Sequence, residues 1–582
     1  MMPARRVLLT PWGEQLDREH PLPEHPRPQL RRDSYLNLNG VWQHAFRISA
    51  RRPHDWDGPI VVPFSPEAAL SGVQRQLQPG EYLHYQRSFD LPAGFGKDRT
   101  LLHFGAVDQW CRVFVNGREA GEHEGGFLPF TFDITGLCTD TGNDLHVVVC
   151  DPSDTGPGAR GKQKLQPGGI WYTAQSGIWQ TVWLESVPDC HVTGIELEPD
   201  LTGVTLTVRT SQPSTVTVSL GDGGRTAATG AGRSGVPLRV DIPEPRLWTP
   251  EDPHLYDLTL KTGEDEVRSY VGLRTVGVGA DAHGTARLLL NGRPYFHAGV
   301  LDQGYWSDGL LTAASDEALV YDIQTMKDMG FTMVRKHIKI ESLRWYHHCD
   351  RLGMLVWQDM VNGGGRYRRP VVELPAVSPV HFNDRHHRLF ARQDAAARDQ
   401  WLGQAAQTID LLRNCPSVVV WVPFNEGWGQ FDANAVAESV RAMDPSRPVD
   451  HASGWHDQGG GDLRSLHIYF RPFRVPRRRD PRVLALSEYG GYSLHLPDHS
   501  VSDTEFGYRR YSSPTRLAHA FQRLHTDQVI PAVPKGLSAT VYTQVSDVED
   551  ETNGLLTFDR RVVKIPVTQV REVIAQLRLP AP

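Results

Sequence analysis

Hydrophobic and polar positions change their period along the chain. Up to about residue 187 the apolar residues fall in short runs. Residues 101–104, 110–115, 130–134 and 145–150 are β-rich and bounded by turn formers. Asn116-Gly117 stands between two of these runs. That pair is a hairpin signal, because both central positions of the tight turn need positive φ. Residues 177–185 alternate like a half-buried strand. Many strands with almost no helical period predict a jelly-roll β-sandwich over residues 1–187. Residues 188–278 repeat the theme on a smaller scale. There 203–209 and 215–220 alternate, and 255–261 with 267–273 form a closing pair. This predicts an immunoglobulin-like β-sandwich.

From residue 279 helical periodicity alternates with short apolar strands. Helices are predicted over 316–329, 342–352, 394–413, 433–443 and 568–577. Ser315 is placed to cap the first, and Gly330 and Gly353 to stop the first two. Strands are predicted at 294–301, 331–336, 354–359 and 417–424, then near 449–452, 465–469, 482–487 and 539–545. Continuous apolar strands with helical crossovers mean a parallel sheet. Eight of them predict a (β/α)8 TIM barrel over residues 279–582.

Composition changes this picture little. The chain has 582 residues, 39% hydrophobic and 22% charged, which suits several packed domains and excludes a disordered polymer. A net charge of −7 argues against a nucleic-acid partner. No apolar run reaches the length of a transmembrane helix, so no membrane partner is expected. The first residues lack the apolar stretch of a signal peptide. Six cysteines at 111, 138, 150, 190, 349 and 415 form no CxxC pair. They read as thiols in a reducing compartment, and a cytoplasmic location is expected.

The candidate chemistry sits where βα loops of a barrel converge, at the carboxyl ends of its strands. Strand four runs into Asn425-Glu426-Gly427-Trp428-Gly429, and strand seven into Glu488-Tyr489-Gly490. Each places one carboxylate just past an apolar strand, in a glycine and aromatic setting. Two glutamates facing each other across a barrel mouth suit a retaining glycosidase, in which one attacks the sugar and the other first protonates the leaving oxygen. Their surroundings must then push their pKa values apart. Other strand ends offer Asp302 for sugar hydroxyls, Trp357 as the floor of the sugar site, and Gln544 as a further sugar contact. The segment 362–394 after strand three, with three consecutive glycines, is expected to shape the pocket.

Asn425-Glu426 and Glu488, together with several upstream pieces, resemble glycoside hydrolase family 2, the β-galactosidase and β-glucuronidase type. His84-Tyr85-Gln86-Arg87-Ser88-Phe89 and Val115-Asn116-Gly117 resemble its sugar-binding domain. Leu247-Trp248-Thr249-Pro250 with Pro253-His254-Leu255-Tyr256 resembles its immunoglobulin-like domain, and Leu290-Asn291-Gly292-Arg293-Pro294 the lead-in to its barrel. The resemblance implies Glu426 as acid/base and Glu488 as nucleophile. It implies Asn425 as the partner of the sugar 2-hydroxyl, Arg335 as a brace for the nucleophile, His337 as a sugar contact, and Tyr469 as a hydrogen-bond donor to the nucleophile. It implies a carbohydrate substrate and a homo-oligomer.

The chain departs from the better-known members. No acidic and histidine ligand set precedes Glu426, so no metal or other cofactor is expected. No Asn-x-Lys occurs, which counts against a glucuronidase. The Arg-rich loop 471–479 can receive an anionic group or serve as a solvated surface. The expected activity is exo-acting hydrolysis of a terminal β-galactoside-like sugar. Furanosides or arabinosides, mannosides and uronides are the alternatives. Two readings of other classes stand beside it: a non-catalytic carbohydrate-binding protein and a metal-dependent barrel hydrolase. Equal aryl-glycoside cleavage by the wild type and Glu488→Gln would mark the assigned roles as wrong, and loss of activity to a chelator would mark the metal-dependent hydrolase.

Overall fold

The computed structural model describes residues 6–378, 380–477 and 480–579. Arg478 and Arg479 of the Arg-rich loop lie outside them. The first sandwich stacks a four-stranded sheet (Tyr35–Asn37, Val182–Val187, Arg99–Phe104, Phe130–Asp133) on a six-stranded one. The second sheet runs Gly58–Val62, Gly40–Arg47, Tyr82–Phe89, Asn143–Cys150, Trp110–Val115 and Arg118–Glu124. The alternating inward residues, among them Trp42, Tyr85, Leu102, Val113 and Val147, close one core. Asn116 and Gly117 take φ of 52° and 76°. They fold Trp110–Val115 back on Arg118–Glu124 in the register Val115 opposite Arg118.

The second sandwich pairs a three-stranded sheet (Val192–Pro199, Gly203–Thr210, Leu238–Asp241) with a four-stranded one ending in Tyr256–Thr262 and Asp265–Val271. Arg32 ties the two sandwiches together. Its buried guanidinium bonds Glu185 at 2.9 Å in the first and Asp265 at 2.8 Å in the second.

The barrel is a curled parallel sheet of seven strands. Their order is Val418–Val422, Leu355–Asp359, Met333–Lys336, His297–Asp302, Leu537–Thr543, Val483–Gly490, Leu463–Ile468. The predicted fifth strand is the exception. Residues 449–453 stand in its place but make only isolated parallel bridges to the fourth strand and its loop, Trp421 to Val449 and Asn425 to Ser453. Asp450 N–H donates to Trp421 O at 2.9 Å, and Asp462 N–H to Val449 O at 2.8 Å, so the segment still joins both edges of the sheet. Its side chains Asp450, His451 and Ser453 are polar and buried, and Asp450 accepts from Ser465.

The helices follow their capping residues. Ser315 accepts from Ala318 N–H at the start of Asp316–Asp328, and Asp394 from Ala397 N–H at the start of Ala395–Leu412. The helix Pro514–Leu524, capped by Ser513, was not expected from the sequence. Proline in its first turn, where no N–H partner is needed, fits its start. The apolar faces of the helices pack around the outside of the sheet, while Leu301, Met333, Leu355, Trp357, Val420 and Val541 share a core with the linking strand region at Leu288.

Candidate active site

The loop after the fourth barrel strand turns sharply. Glu426 itself has φ of 49°, a left-handed conformation that strains a residue with a Cβ, and Gly427 follows at 74°. Backbone bonds hold the turn: Glu426 N–H to Ser453 O at 3.0 Å and Trp428 N–H to Asn425 O at 2.9 Å. A Cβ on Gly427 would fall 2.6 Å from His456 Cδ2, so no other residue fits there without a shift. The turn lifts the Glu426 carboxylate toward the end of the seventh-place strand, where Glu488 sits. Both glutamates are about 95% buried.

An oxygen of each carboxylate and a ring nitrogen of His467 all lie within 4.8 Å of one another. His467 Nδ1 is 2.8 Å from Glu426 Oε1, and its Nε2 is 3.6 Å from Glu488 Oε1. The parallel register places His467 opposite Glu488, so the ring lies between the two acids. Gly454 makes room for it. A Cβ there would sit 2.5 Å from His467 Cγ.

Arg335 binds the nucleophile candidate. Its Nη1 donates to Glu488 Oε1 at 3.1 Å, its Nη2 to Asn425 Oδ1 at 2.8 Å and its Nε to Asp359 Oδ1 at 2.8 Å. Asn425 Oδ1 is thereby taken, while its Nδ2 is buried with no partner among the described residues. An amide in that state is a donor waiting for an acceptor such as a sugar hydroxyl. Tyr469 Oη donates to Glu488 Oε2. Its ring stacks on Tyr508 with centroids 3.7 Å apart, and Tyr508 is a site residue that the sequence did not suggest. His337 bonds Asp359 Oδ2 through Nδ1 at 2.7 Å and packs edge-on against Trp428.

The two acids are tuned in opposite directions. Burial pushes Glu426 up, the His467 hydrogen bond opposes this, and the charge of Glu488 adds to it, leaving its pKa raised. Burial alone would also raise Glu488. There the charges of His467, Arg335 and His337 and the Tyr469 hydroxyl more than offset it, and its pKa is lowered.

Three expected sugar contacts are held by partners within the protein. Asp302 is engaged on both oxygens, with Gly304 N–H at 2.8 Å and Lys336 Nζ at 2.8 Å. Lys336 stands directly opposite it in the parallel register. Gln544 is spent on Gln303 at 2.6 Å and Asn553 at 2.7 Å, with no exposed surface. Trp357 packs in the barrel core and donates to His297 Nδ1 at 2.9 Å, so it is a layer of the barrel and not a floor for sugar. In each case partners within the protein already hold the side chain.

One cation enters from another domain. Lys162, on the first sandwich, lies over the rings of Tyr172 and Trp428, with Nζ 5.3 and 5.6 Å from their centroids. Its charge acts on both Glu426 and His337, and it has no carboxylate partner among the described residues. Only a contact between domains brings it there, and the sequence carries no local signal for that.

The carboxylates and His467 could in geometry share a cation. Their oxygens, however, already receive the Arg335, Tyr469 and His467 hydrogen bonds, and a guanidinium this close competes with any metal.

Three models of one family match the chain in order. They are the sugar binding domain of glycosyl hydrolases family 2 over residues 37–188, a second family 2 domain over 191–274, and its TIM barrel domain over 284–474. The barrel match takes in Glu426 and ends before Glu488. A beta-galactosidase of Aeromonas hydrophila subsp. hydrophila is 28% identical over 410 residues, covering 65% of this chain and 36% of that protein. A beta-glucuronidase of Paenibacillus borealis is 27% identical over 480 residues, covering 73% and 74%. The match thus spans about a third of the length of the first of these relatives. Among solved structures, the beta-D-glucuronidase of Dictyoglomus thermophilum superposes with a TM-score of 0.74 at 18% identity, covering 94% of this chain and 98% of that one. A beta-galacturonidase of Eisenbergiella tayi bound to galacturonate gives 0.70 at 18% identity, covering 95% and 99%. At that identity these structures speak for the fold. No helix among the described residues is long and apolar enough to cross a membrane. With three successive domain models covering most of its length, the chain belongs to glycoside hydrolase family 2.

Proposed function

We propose that the chain is an exo-acting retaining glycoside hydrolase that removes a terminal, β-galactoside-like sugar through a covalent glycosyl-enzyme. One observation carries this reading: two buried glutamates with oxygens within 4.8 Å of each other and pKa values pushed in opposite directions. Retaining enzymes hold their carboxyl groups about 5–5.5 Å apart, and inverting ones about 6.5–9.5 Å. Glu488, ionised and aligned by Arg335 and Tyr469, attacks the anomeric carbon. Glu426, kept protonated by burial, gives its proton to the leaving oxygen. It then takes a proton from the water that releases the sugar. The free Nδ2 of Asn425 donates to the sugar 2-hydroxyl, a contact that tightens as charge develops in the transition state.

A uronide is the second reading, because Lys162 brings an uncommitted cation to the pocket. A screen of aryl β-galactosides, glucuronides, mannosides and arabinofuranosides separates these sugars. No release from any of them, by wild type and Glu488→Gln alike, would leave only the carbohydrate-binding reading.

The pKa directions set the pH profile. Glu488 must be ionised and is lowered, so the acidic limb of kcat/KM lies below the ordinary glutamate value of 4.5. Glu426 must be protonated and is raised, so activity falls as pH climbs through a value above 4.5. Glu426→Gln removes that basic limb. It lowers kcat/KM about 10²–10⁴-fold on substrates with poor leaving groups, and much less on activated aryl glycosides. An unchanged profile in that variant would contradict the acid/base role. We further propose that no metal takes part. Dialysis against EDTA then leaves kcat/KM within twofold, and a larger loss restored by a divalent ion would point to the Glu426, His467 and Glu488 cluster as a metal site. All six cysteines are free, in keeping with the reducing compartment proposed from the sequence.

A further inference from the structure

Beside the two glutamates the first sandwich and the barrel build a second hollow. Residues 157–161 of the sandwich loop run against 362–365 of the barrel. Arg160 N–H donates to Asn362 O at 2.9 Å, Gly364 N–H donates to Pro157 O at 2.9 Å, and Ala159 bridges Gly363. Beside this seam, sandwich residues between Asp154 and Trp171 and barrel residues between Arg366 and Glu373 line a cavity of about 640 Å³. That volume is large for a single side-chain gap and falls in the range of ligand sites.

Two kinds of group line it. Aromatic rings form one wall. Trp171 lies 5.8 Å from Tyr367 and 5.2 Å from Trp428 between ring centroids, and Trp428 is two residues from Glu426 and packs on His337. Ring contacts thus link the cavity wall at Trp171 to Trp428, two residues past Glu426. Among its charged lining residues, the cations Arg160, Lys164, Arg366 and Arg369 outnumber the acids Asp154 and Glu373. Arg369 is paired with Glu373 at 3.5 Å, and Arg160 is spent on the carbonyls of Gly364 and Gly365. Lys164 and Arg366 have no acidic partner among the described residues. Lys164 is half-buried over the Trp171 ring at 4.4 Å; burial lowers its pKa, the charges of Asp154 and Glu373 oppose this, and those of Arg160 and Arg366 add to it. A half-buried ammonium beside like charges gains from an anion.

We infer that this cavity is the leaving-group subsite and that it takes a carboxylate-bearing oligosaccharide. Sugar faces lie on Trp171 and Tyr367, and carboxylates meet Lys164 and Arg366. This rests on the glycosidase reading above and adds to it the class of group released.

The test uses the full chain and two probes of equal length, trigalacturonate and neutral maltotriose, followed by calorimetry and by Trp fluorescence. Trigalacturonate is expected to bind at least tenfold more tightly than maltotriose and to weaken as salt is added. Lys164→Ala and Arg366→Ala each lose about fivefold of that affinity, the size of an exposed charge pair. Both variants leave kcat/KM on the best small aryl glycoside within twofold, because its neutral aglycone carries no carboxylate to meet Lys164 or Arg366. Equal binding of the two probes, or variants that retain the preference, would overturn the inference. Binding without any aryl-glycoside cleavage would instead overturn the hydrolase reading and leave the site standing.

Discussion

Glu488→Gln is expected to lower kcat on the best aryl glycoside by at least about 10⁴-fold, the scale seen when a covalent nucleophile is removed from an enzyme. The substitution keeps the volume, and its carbonyl oxygen still accepts from Arg335 while its amide N–H faces Tyr469 Oη, which turns from donor to acceptor, so the fold is retained. What is lost is the anion that forms the glycosyl-enzyme. Mass spectrometry after incubation with a 2-fluoro analogue of that glycoside should show one labelled peptide in the wild type, containing residue 488, and none in the variant. A label on another carboxylate would remove the assignment.

Arg335→Leu carries the largest expected cost in stability, about 3–5 kcal/mol by urea unfolding. Its guanidinium has no exposed surface and meets Glu488, Asp359, Asn425 Oδ1 and the Ser487 carbonyl. Leucine leaves two buried carboxylates without their cation. Any activity that survives should have its acidic limb moved to higher pH, since Arg335 is among the charges that lower Glu488. A loss below about 1 kcal/mol with an unmoved limb would show that Arg335 is not bonded as described. Arg335→Lys keeps the charge but not the three-way fork, and is expected to fall between the two.

The sequence made the two acids legible because each follows an apolar strand and opens a glycine-rich turn, both local patterns. Ser315, Asp394, Gly330 and Gly353 marked helix ends for the same reason. The rest depends on register. Asp302 lies opposite Lys336, and His467 opposite Glu488, only once the parallel strands are paired. Gln544 meets Gln303 at the ends of two adjacent strands, and Trp357 meets His297, in contacts between residues far apart in the chain. The fifth strand was legible as a segment, yet it pairs only through isolated bridges, which depend on backbone register that no local pattern reveals. Lys162 and Tyr508 come to the site from a different domain and from a distant loop, with no periodicity to announce them.

The seam between 157–161 and 362–365 makes the leaving-group wall joint property of two domains. Neither half is a pocket by itself. Exchanging the first sandwich between relatives would therefore transplant half a specificity, and the lineage is constrained to change both halves in step.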